Sequence, residues 1–258
     1  MGGGRAMNSH RIISSLFLLV LTVLPIRATA LVDSLQCGFR LGYNVGGTAP
    51  VGMPATIRSM NSYVLTPSFC IGADVSRQFN RRWGLVVGVH LENKGMNIDA
   101  TVKNYHIEIV RGGQRLEGMF TGNNKTKVEQ WMFTLPVMLS YTVAQDLSLR
   151  FGPYASYVVS RDFSGYAYDG RLRVGNPTGP MVELGGDSKT RGSYDFSSSL
   201  RRMQYGVLMG ADWRFGRRWG TFIDLSWGLT GIFHSSFDTI EQTLYPIYGT
   251  IGLTYRMK

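Results

Sequence analysis

The stretch Trp83-Gly-Leu-Val-Val-Gly-Val-His-Leu-Glu92 decides the fold, because its side chains alternate between two kinds. Bulky apolar residues occupy the odd-numbered positions, and the even-numbered positions are mostly small or polar. Successive side chains of a β-strand point to opposite faces, so a period of two predicts a strand with one apolar and one polar face. The stretch also matches the about 9–11 residues with which a tilted strand crosses a membrane.

The same alternation recurs in eight segments, at 38–45, 68–76, 83–92, 133–141, 147–159, 205–215, 219–229 and 247–257. The connections are alternately long and short, at 46–66, 80–82, 97–130, 142–146, 160–202, 216–218 and 231–243. Outer-membrane barrels keep short turns on the periplasmic side and long loops outside. We therefore predict an all-β fold: a single eight-stranded antiparallel up-and-down transmembrane β-barrel. It would lie in the outer membrane of a Gram-negative bacterium, with both termini periplasmic.

A soluble barrel of the lipocalin kind would share the alternation but would turn its apolar face inward. Glycines dominate the polar phase here, which suits the crowded interior of an eight-stranded barrel better than a solvated surface. Bulky aromatics lie toward the strand ends, as in interfacial girdles. The polar phase also contains charges of both signs, and a dry lumen tolerates charges when they are paired. The expected lumen charge network consists of Arg40, Asp74, Glu92, Arg150, Asp212, Arg214, Asp224 and Arg256.

The N-terminus has the features of a secretory signal peptide. Arg5 and Arg11 precede an apolar stretch at 16–24, and Ala28-Thr-Ala30 offers the small-residue pattern that a signal peptidase cleaves. The apolar stretch is too short to serve comfortably as a membrane anchor. We predict a cleaved signal peptide at 1–30 and one barrel domain at 31–258, with Met7 as an alternative start.

The basic composition bears on the partners. The formal net charge is +10, and it becomes +7 when Arg5, Arg11 and Arg27 leave with the signal peptide. An exported chain rarely meets nucleic acid, so we expect outer-membrane lipid and lipopolysaccharide as partners and no nucleic acid. Cys37 and Cys70 are expected at opposite ends of neighbouring strands, too far apart for a disulfide.

Two short connections nearly repeat each other, Phe79-Asn-Arg-Arg-Trp-Gly84 and Phe215-Gly-Arg-Arg-Trp-Gly220. The repeat could be a duplicated partner-binding element, or a basic turn whose arginines meet inner-leaflet phosphates beside girdle aromatics. We favour the second interpretation.

Two long connections carry expectations of their own. Gly112-Gly113 lies between two alternating runs and predicts a hairpin, so the third and fourth strands should continue beyond the membrane as a β-ribbon over 103–120. The 160–202 connection is rich in Gly, Ser and Asp, and its tip near 175–191 is expected to be the least ordered segment.

The last strand carries an assembly signal. Thr250, Gly252, Tyr255 and Met257 fit a polar-x-Gly-x-x-apolar-x-apolar pattern, which resembles the β-signal read by the barrel-assembly machinery. Met257 departs from that pattern because an aromatic residue is commoner there, and Lys258 is one residue more than the pattern has.

The segments 131–139, 151–154 and 205–210 resemble successive strands of PorT-type outer-membrane β-barrel proteins of the Bacteroidetes. Glu92-Asn-Lys-Gly95 is similar to the Lys-Gly that follows the third strand in that family. The resemblance spans about Cys37 to Met257, and its short motifs imply an architecture rather than an activity. One member serves in a protein-secretion machine, but that role does not carry over. In this family Pro136 looks like a fixed kink, since proline cannot donate a ladder hydrogen bond.

Nothing in the sequence points to a catalytic, cofactor-binding or metal site. His90 shares a face with Glu92, but a triad needs three groups in mutual hydrogen-bond reach, and the sequence does not place Ser68 or Ser156 there. We expect His90 to be a buried histidine held by the lumen charges. His106 and His234 fall in expected loops and are too sparse for a metal site.

The sequence therefore predicts a non-enzymatic, monomeric barrel with a plugged lumen and outer loops that meet a partner or a surface. A surface or secretion partner is not identified. A narrow porin-like channel and an outer-membrane lipid-modifying enzyme are the two alternatives.

Overall fold

The computed structural model describes residues 35–50, 54–64, 66–237, 239–240 and 243–257. The predicted signal peptide lies outside the described residues. In chain order the strands are β1 (Leu35–Pro50), β2 (Ile57–Val64), β3 (Phe69–Gln78), β4 (Trp83–Arg111), β5 (Gln114–Ala144), β6 (Leu147–Val174), β7 (Met181–Leu184), β8 (Gly192–Asp195), β9 (Met203–Arg214), β10 (Trp219–Gly228) and β11 (Leu244–Arg256). A short 3₁₀ helix, Ser197–Ser199, follows β8.

Eight of these strands close into an antiparallel ring in the order β1, β3, β4, β5, β6, β9, β10, β11. The pairing of β1 with β11, from Gly38 opposite Arg256 to Pro50 opposite Leu244, closes the ring. A closed ring leaves no strand edge unpaired, as a membrane requires of every backbone polar group. The predicted eight-stranded up-and-down barrel is confirmed.

The apolar phase faces outward, as predicted. On β1, Phe39 and Leu41 are 50% and 58% exposed, whereas Arg40 between them is 3% exposed. The same contrast holds for the outward-facing apolar residues of the other ring strands, which together form an apolar belt around the barrel. A large exposed apolar surface of this kind is unfavourable in water, so the belt indicates contact with lipid.

The two ends of the barrel differ. At one end, hereafter the short-turn end, the turns at 79–82, 145–146 and 215–218 join the strands. Met257 N donates a 2.9 Å hydrogen bond to Cys37 O, and Cys37 lines a cavity together with Arg217 and Arg218, so both described termini lie at this end. At the other end, β4, β5 and β6 continue far beyond the belt.

The predicted β-ribbon of the third and fourth barrel strands is confirmed, and a further strand extends beyond the membrane with it. β4 and β5 stay paired up to Arg111 opposite Gln114, and the turn uses Gly112 and Gly113 at φ +57° and +82°, a left-handed conformation that glycine adopts without strain. β6 joins them as a third long strand up to Val174, although the sequence suggested a loop from residue 160. β7 pairs with β6, so strand structure also occupies part of 175–191, the segment expected to be least ordered. β8 follows that segment and pairs with both β6 and β4.

The extended parts of β4–β6, together with β2, β7, β8 and residues 229–237 of the connection before β11, form what we call the outer lobe. The lobe has a hydrophobic core of its own, because side chains from its several strands pack against one another instead of against lipid. The fully or nearly buried residues of this core are Met96, Val102, Ile107, Ile109, Phe120, Val128, Phe163, Ala167, Leu172, Leu184, Tyr194, Phe196, Leu200, Ile232 and Phe233.

Pro136 lies on β5 within the barrel wall. The ladder between β4 and β5 runs to Val87 opposite Val137 and resumes at His90 opposite Thr134, so it is interrupted beside the proline. A proline has no N–H to donate to a ladder, and this missing donor accounts for the interruption.

Both cysteines are free, as predicted, with Cys70 buried and Cys37 partly exposed. Asn44 N donates to Ser68 O, which places the start of β3 beside the middle of β1 and away from Cys37. Within the described residues, no helix is both long and apolar enough to cross a membrane.

Candidate functional site

Two arginines and three aspartates meet inside the barrel near its short-turn end. Arg40 Nη1 lies 3.3 Å from Asp74 Oδ2, and its Nη2 lies 3.1 Å from Asp212 Oδ1 and 3.6 Å from Asp224 Oδ2. Arg150 Nε lies 2.5 Å from Asp212 Oδ2 in an ion pair without hydrogen-bond geometry, and its Nη2 donates a 2.6 Å hydrogen bond to Asp224 Oδ1. Two guanidinium groups thus share three carboxylates. We call this set the charged layer.

Glycines on the neighbouring strands make room for the charged layer. A Cβ at Gly210 would lie 1.8 Å from Asp224 Oδ1, and one at Gly88 would lie 2.1 Å from Asp74 Oδ1. Both glycines lie on the inward face of their strands, beside an inward-pointing carboxylate. The small residues of the inward face therefore leave the space that the charged side chains occupy. Arg40 also stacks on Phe222, with the guanidinium carbon 3.8 Å from the ring centroid.

A second polar group lies farther up the lumen. Lys94 Nζ lies 3.0 Å from Glu92 Oε2, which also accepts a 2.6 Å hydrogen bond from Thr134. The rings of Tyr154 and Tyr248 lie 5.7 and 5.5 Å from the same ammonium. The expected charge network did not include Lys94, the ion-pair partner of Glu92. The sequence could have indicated it, because Lys94 lies two residues after Glu92 and so shares its inward face.

The structure places Arg214 and Arg256 away from the charged layer. Arg214 ends β9 at the short-turn end, where its Nη2 lies 3.7 Å from Asp146 Oδ1 and it also donates to Gln145 O. Arg256, in the part of the chain that the structure describes, makes no ion pair within 4 Å. Both lie on the inward face of their strands, as predicted, but too near the short-turn end to reach the charged layer. The alternation along a strand tells which face a residue occupies, and it does not tell how that residue aligns in height with residues of other strands.

His90 is buried and its Nε2 lies 2.7 Å from Asp74 Oδ1, an arrangement that matches a histidine held by lumen charges. Ser156 Oγ bonds with Thr134, and Ser68 Oγ accepts from Gly95 N, so among the described contacts neither serine is bonded to His90. His90, Ser68 and Ser156 therefore do not form a hydrogen-bonded triad within the described residues.

Cys70, His90 and Glu92 offer three ligand atoms that lie within 4.8 Å of one another, although no metal-ligand spacing marks these residues in the sequence. The three residues come together because Cys70 is the cross-strand partner of Glu92, and His90 lies two residues before Glu92 on β4. Such donors suit a zinc ion in principle. However, Glu92 is already bound to Lys94 and Thr134, and His90 to Asp74, so the packing of the lumen accounts for these side chains.

A cavity of about 120 Å³ opens at the short-turn end below the charged layer. Its wall includes Arg214, Arg217, Arg218 and Arg256, and its floor is formed by Arg40 and Arg150. Several arginines therefore surround the mouth of the barrel, and the filled lumen begins directly behind them.

The four assembly-signal residues lie on the closing strand β11 or just after it. Thr250 points inward and donates a 2.6 Å hydrogen bond to Asn44 Oδ1 on β1. Gly252 lies where β10, β11 and β1 approach closely, and a Cβ there would lie 2.2 Å from Leu41 O. Tyr255 packs against Trp219, with ring centroids 5.0 Å apart, and Met257 is exposed.

Polar contacts order both the surface and the interior of the outer lobe. Tyr168 donates a 2.6 Å hydrogen bond to Asp99, and this bond raises the pKa of Tyr168 to about 12. Tyr194 is buried and bonds with Asn124 and Thr126, and burial raises the pKa of its hydroxyl well above the usual value. His106 lies on strand β4, not in a loop, and its Nε2 is 3.3 Å from Glu117 Oε1.

The fold and the sequence define an integral β-barrel of an outer membrane. The family described as outer membrane protein beta-barrel domain matches residues 27–234, and the chain belongs to this family. No curated relative matches the chain.

Solved structures of similar barrels are distant in sequence. Ail, the attachment invasion locus protein of Yersinia pestis, crystallised with the heparin analogue sucrose octasulfate, shares 10% identity at a TM-score of 0.37 over 87% of this chain and 99% of that one. CarO2 of Acinetobacter baumannii shares 12% identity at a TM-score of 0.39 over 86% and 99%. The translocator domain of the autotransporter NalP from Neisseria meningitidis shares 12% at a TM-score of 0.24 over 96% of each chain.

Proposed function

We propose that this chain is a non-enzymatic outer-membrane barrel that is closed to solutes and presents its outer lobe to a partner outside the cell. The observation that carries the proposal is the lobe itself. Three barrel strands of 28 to 31 residues continue into a body with its own buried core, whereas about 9–11 residues suffice to cross the membrane. A binding role gives a reason for building this much ordered structure beyond the membrane.

The lumen supports a closed barrel over the porin-like alternative. Arg40, Arg150, Glu92, Lys94 and His90 are all buried inside it. Eight strands leave an interior just wide enough for side chains, and these side chains occupy it. The lipid-modifying alternative has less support, because no serine is bonded to His90 among the described residues.

The orientation belongs to the same proposal. Short turns and both termini of outer-membrane barrels with an even strand number lie in the periplasm, so the outer lobe would face outward. Thr250, Gly252, Tyr255 and Met257 would be read by the barrel-assembly machinery during insertion. Lipopolysaccharide would surround the outer half of the barrel, and the barrel would be a monomer within it.

The PorT-like assignment rests on the resemblance of 131–139, 151–154 and 205–210. The gap in the ladder beside Pro136 supports it, because the proline is the least usual residue of that motif in a barrel wall. A role in secretion is not part of the proposal.

Trypsin applied to intact cells tests the orientation. We expect cleavage after Arg111 at the ribbon tip and after Lys189 or Arg191 between β7 and β8. Arg81 and Arg217, in the short turns, should resist until the outer membrane is permeabilised. Cleavage at Arg81 or Arg217 in intact cells, with the ribbon tip protected, would contradict the proposed orientation.

Photo-crosslinking tests the partner role. A photoreactive amino acid would replace Val110 or Met181, which are exposed on the outer lobe, and in matched controls Leu41 or Ile251 in the apolar belt. We expect a discrete protein or glycan adduct from the lobe positions and only lipid adducts from the belt positions. Lobe positions that give no adduct under growth conditions in which the barrel is expressed would count against a partner.

A further inference from the structure

The two repeated turns fold in the same way. In each, the backbone N–H of the first residue donates to the carbonyl of the tryptophan: Phe79 to Trp83 over 2.8 Å, and Phe215 to Trp219 over 3.3 Å. Each tryptophan is also the cross-strand partner of a tyrosine, Tyr141 for Trp83 and Tyr255 for Trp219. The ring centroids of these pairs are 4.9 and 5.0 Å apart.

The second arginine of each repeat reaches the same tyrosine. Arg82 Nη1 donates to the Tyr141 hydroxyl over 3.4 Å, and Arg218 Nη1 donates to the Tyr255 hydroxyl over 3.0 Å. The sequence repeat therefore corresponds to two equal clusters, each of one arginine, one tyrosine and one tryptophan. Neither turn contains an acidic residue, and both arginines are exposed.

We propose that each cluster is a binding site for the headgroup of an anionic glycerophospholipid. Each guanidinium donates one N–H to tyrosine and has further N–H groups that can point to a phosphate, for which arginine geometry is suited. The tyrosine hydroxyl, while accepting from the arginine, still has its own proton to donate. The tryptophan and tyrosine rings occupy the headgroup level, where such rings are enriched. Two arginines per turn favour a lipid with a net negative charge.

An apolar groove extends from the first cluster along the outside of the barrel. Its volume is about 670 Å³, and it begins at Trp83 and Tyr141. Bulky residues of neighbouring strands border it, among them Leu139, Phe151 and Met209. Ala211 also lines the groove, and its small side chain fills little of it. The groove suits an acyl chain whose headgroup lies on Arg82. The first site would thus hold a lipid by both ends.

The choice of a phospholipid rests on the proposed function, which puts the short-turn end at the inner leaflet. The binding measurement is made on the purified barrel and does not depend on that orientation. If trypsin cleaves the short turns in intact cells, the proposed orientation is wrong. The binding measurement still shows whether the two clusters bind an anionic phospholipid.

Native mass spectrometry of the folded barrel, released from detergent in the presence of phosphatidylglycerol, tests the proposal. We expect two retained lipids on the parent, chiefly one on Arg82→Gln or Arg218→Gln, and a small remainder on the double variant. Each substitution should weaken retention at its own site more than about fivefold, because it removes the contact with tyrosine as well as the charge that one arginine contributes at an anionic lipid surface. Arg81→Gln and Arg217→Gln are the matched controls, since they remove the same charge from the same turns without touching a tyrosine, and they should weaken retention by no more than about fivefold.

Phosphatidylcholine and lipid A are the competing ligands. Retention of phosphatidylglycerol that is unchanged in the double variant, or lost equally in the controls, would overturn the two sites. Displacement of phosphatidylglycerol by lipid A would overturn the choice of lipid. Heat-modifiable migration in a detergent gel shows that each variant is folded, and each single variant keeps the other site as an internal reference.

Discussion

Single residues decide how the charged layer holds together. Arg40 and Arg150 are almost completely buried and depend on the same three carboxylates, of which Asp224 is the least exposed. Buried charges are tolerated when each has partners. Asp224 accepts the hydrogen bond from Arg150 Nη2, so its loss leaves that buried guanidinium N–H group without its acceptor.

Replacing Asp224 with alanine should lower the free energy of unfolding by about 1.5–3 kcal/mol, the contribution of a hydrogen bond between charged groups. Asp146→Ala is the matched control, because Asp146 is exposed and pairs with Arg214 only at 3.7 Å, and its loss should cost under about 1 kcal/mol. Urea unfolding of barrels in lipid vesicles, followed by tryptophan fluorescence, measures both. Equal stability of Asp224→Ala and the parent would show that the layer does not depend on this pairing.

Tyr168 should give the lobe a dependence on alkaline pH. Its hydrogen bond to Asp99 raises its pKa to about 12, whereas a tyrosine in the unfolded chain titrates near about 10. Since the raised pKa favours the neutral form in the folded lobe, the stabilisation is complete below about pH 10 and disappears as the pH rises toward 12.

Ultraviolet difference titration between the parent and Tyr168→Phe should therefore reveal one tyrosine that ionises near pH 12. Asp99→Asn should bring that ionisation to lower pH, since the carboxylate that accepts the bond is gone. An unchanged difference titration in Asp99→Asn would contradict the role assigned to this bond.

At the level of elements, the turn at the ribbon tip depends on two left-handed glycines. Gly112 and Gly113 have φ of +57° and +82°, and a β-branched residue is strained there by roughly 1–2 kcal/mol. Gly113→Val should loosen the end of the β4–β5 ribbon, seen as faster amide hydrogen exchange near the tip, while the barrel ladder exchanges as before. Gly216→Val in a short turn is the control, because a side chain meets open space at both positions and Gly216 does not have a left-handed φ. Equal exchange at the tip would exclude strain as the determinant of this turn.

The alternation of apolar and polar residues predicted the barrel strands, because it continues without a break along the membrane-spanning part of each one. It failed in the outer lobe for a physical reason: the strands there contain bulges. Asn104 and Asp169 adopt left-handed φ of 52° and 45°, and the register shifts between Val102 and Tyr105 and opposite Tyr168. Each bulge exchanges the two faces of its strand, so a period of two does not continue through it and the lobe core could not be read from the sequence.

The sequence predicted the five residues of the charged layer, but it did not predict that Arg214 and Arg256 lie outside this layer. Arg40, Asp74, Arg150, Asp212 and Asp224 follow from parity alone. Arg214 has the same parity as Asp212, but it lies one pleat nearer the mouth and meets Asp146 from a turn. Such a contact depends on the stagger between strands, which no single strand encodes.

For the whole molecule, the filled lumen predicts an absence of solute flux. Proteoliposomes with the parent barrel should not swell in isotonic solutions of small sugars, because buried side chains occupy the interior at the level of the charged layer and of Lys94. A general porin reconstituted in parallel provides the positive control. Swelling comparable to the porin would favour the channel alternative over a plugged barrel.

The lobe core joins distant parts of the chain. Ile232 and Phe233 are buried in that core, yet they belong to the connection before β11, the strand that closes the ring against β1. The core that begins on β4–β6 is therefore complete only when residues next to the closing strand pack into it. Closure of the barrel and completion of the lobe thus depend on the same part of the chain, and a chain with an open ring would leave apolar lobe side chains uncovered.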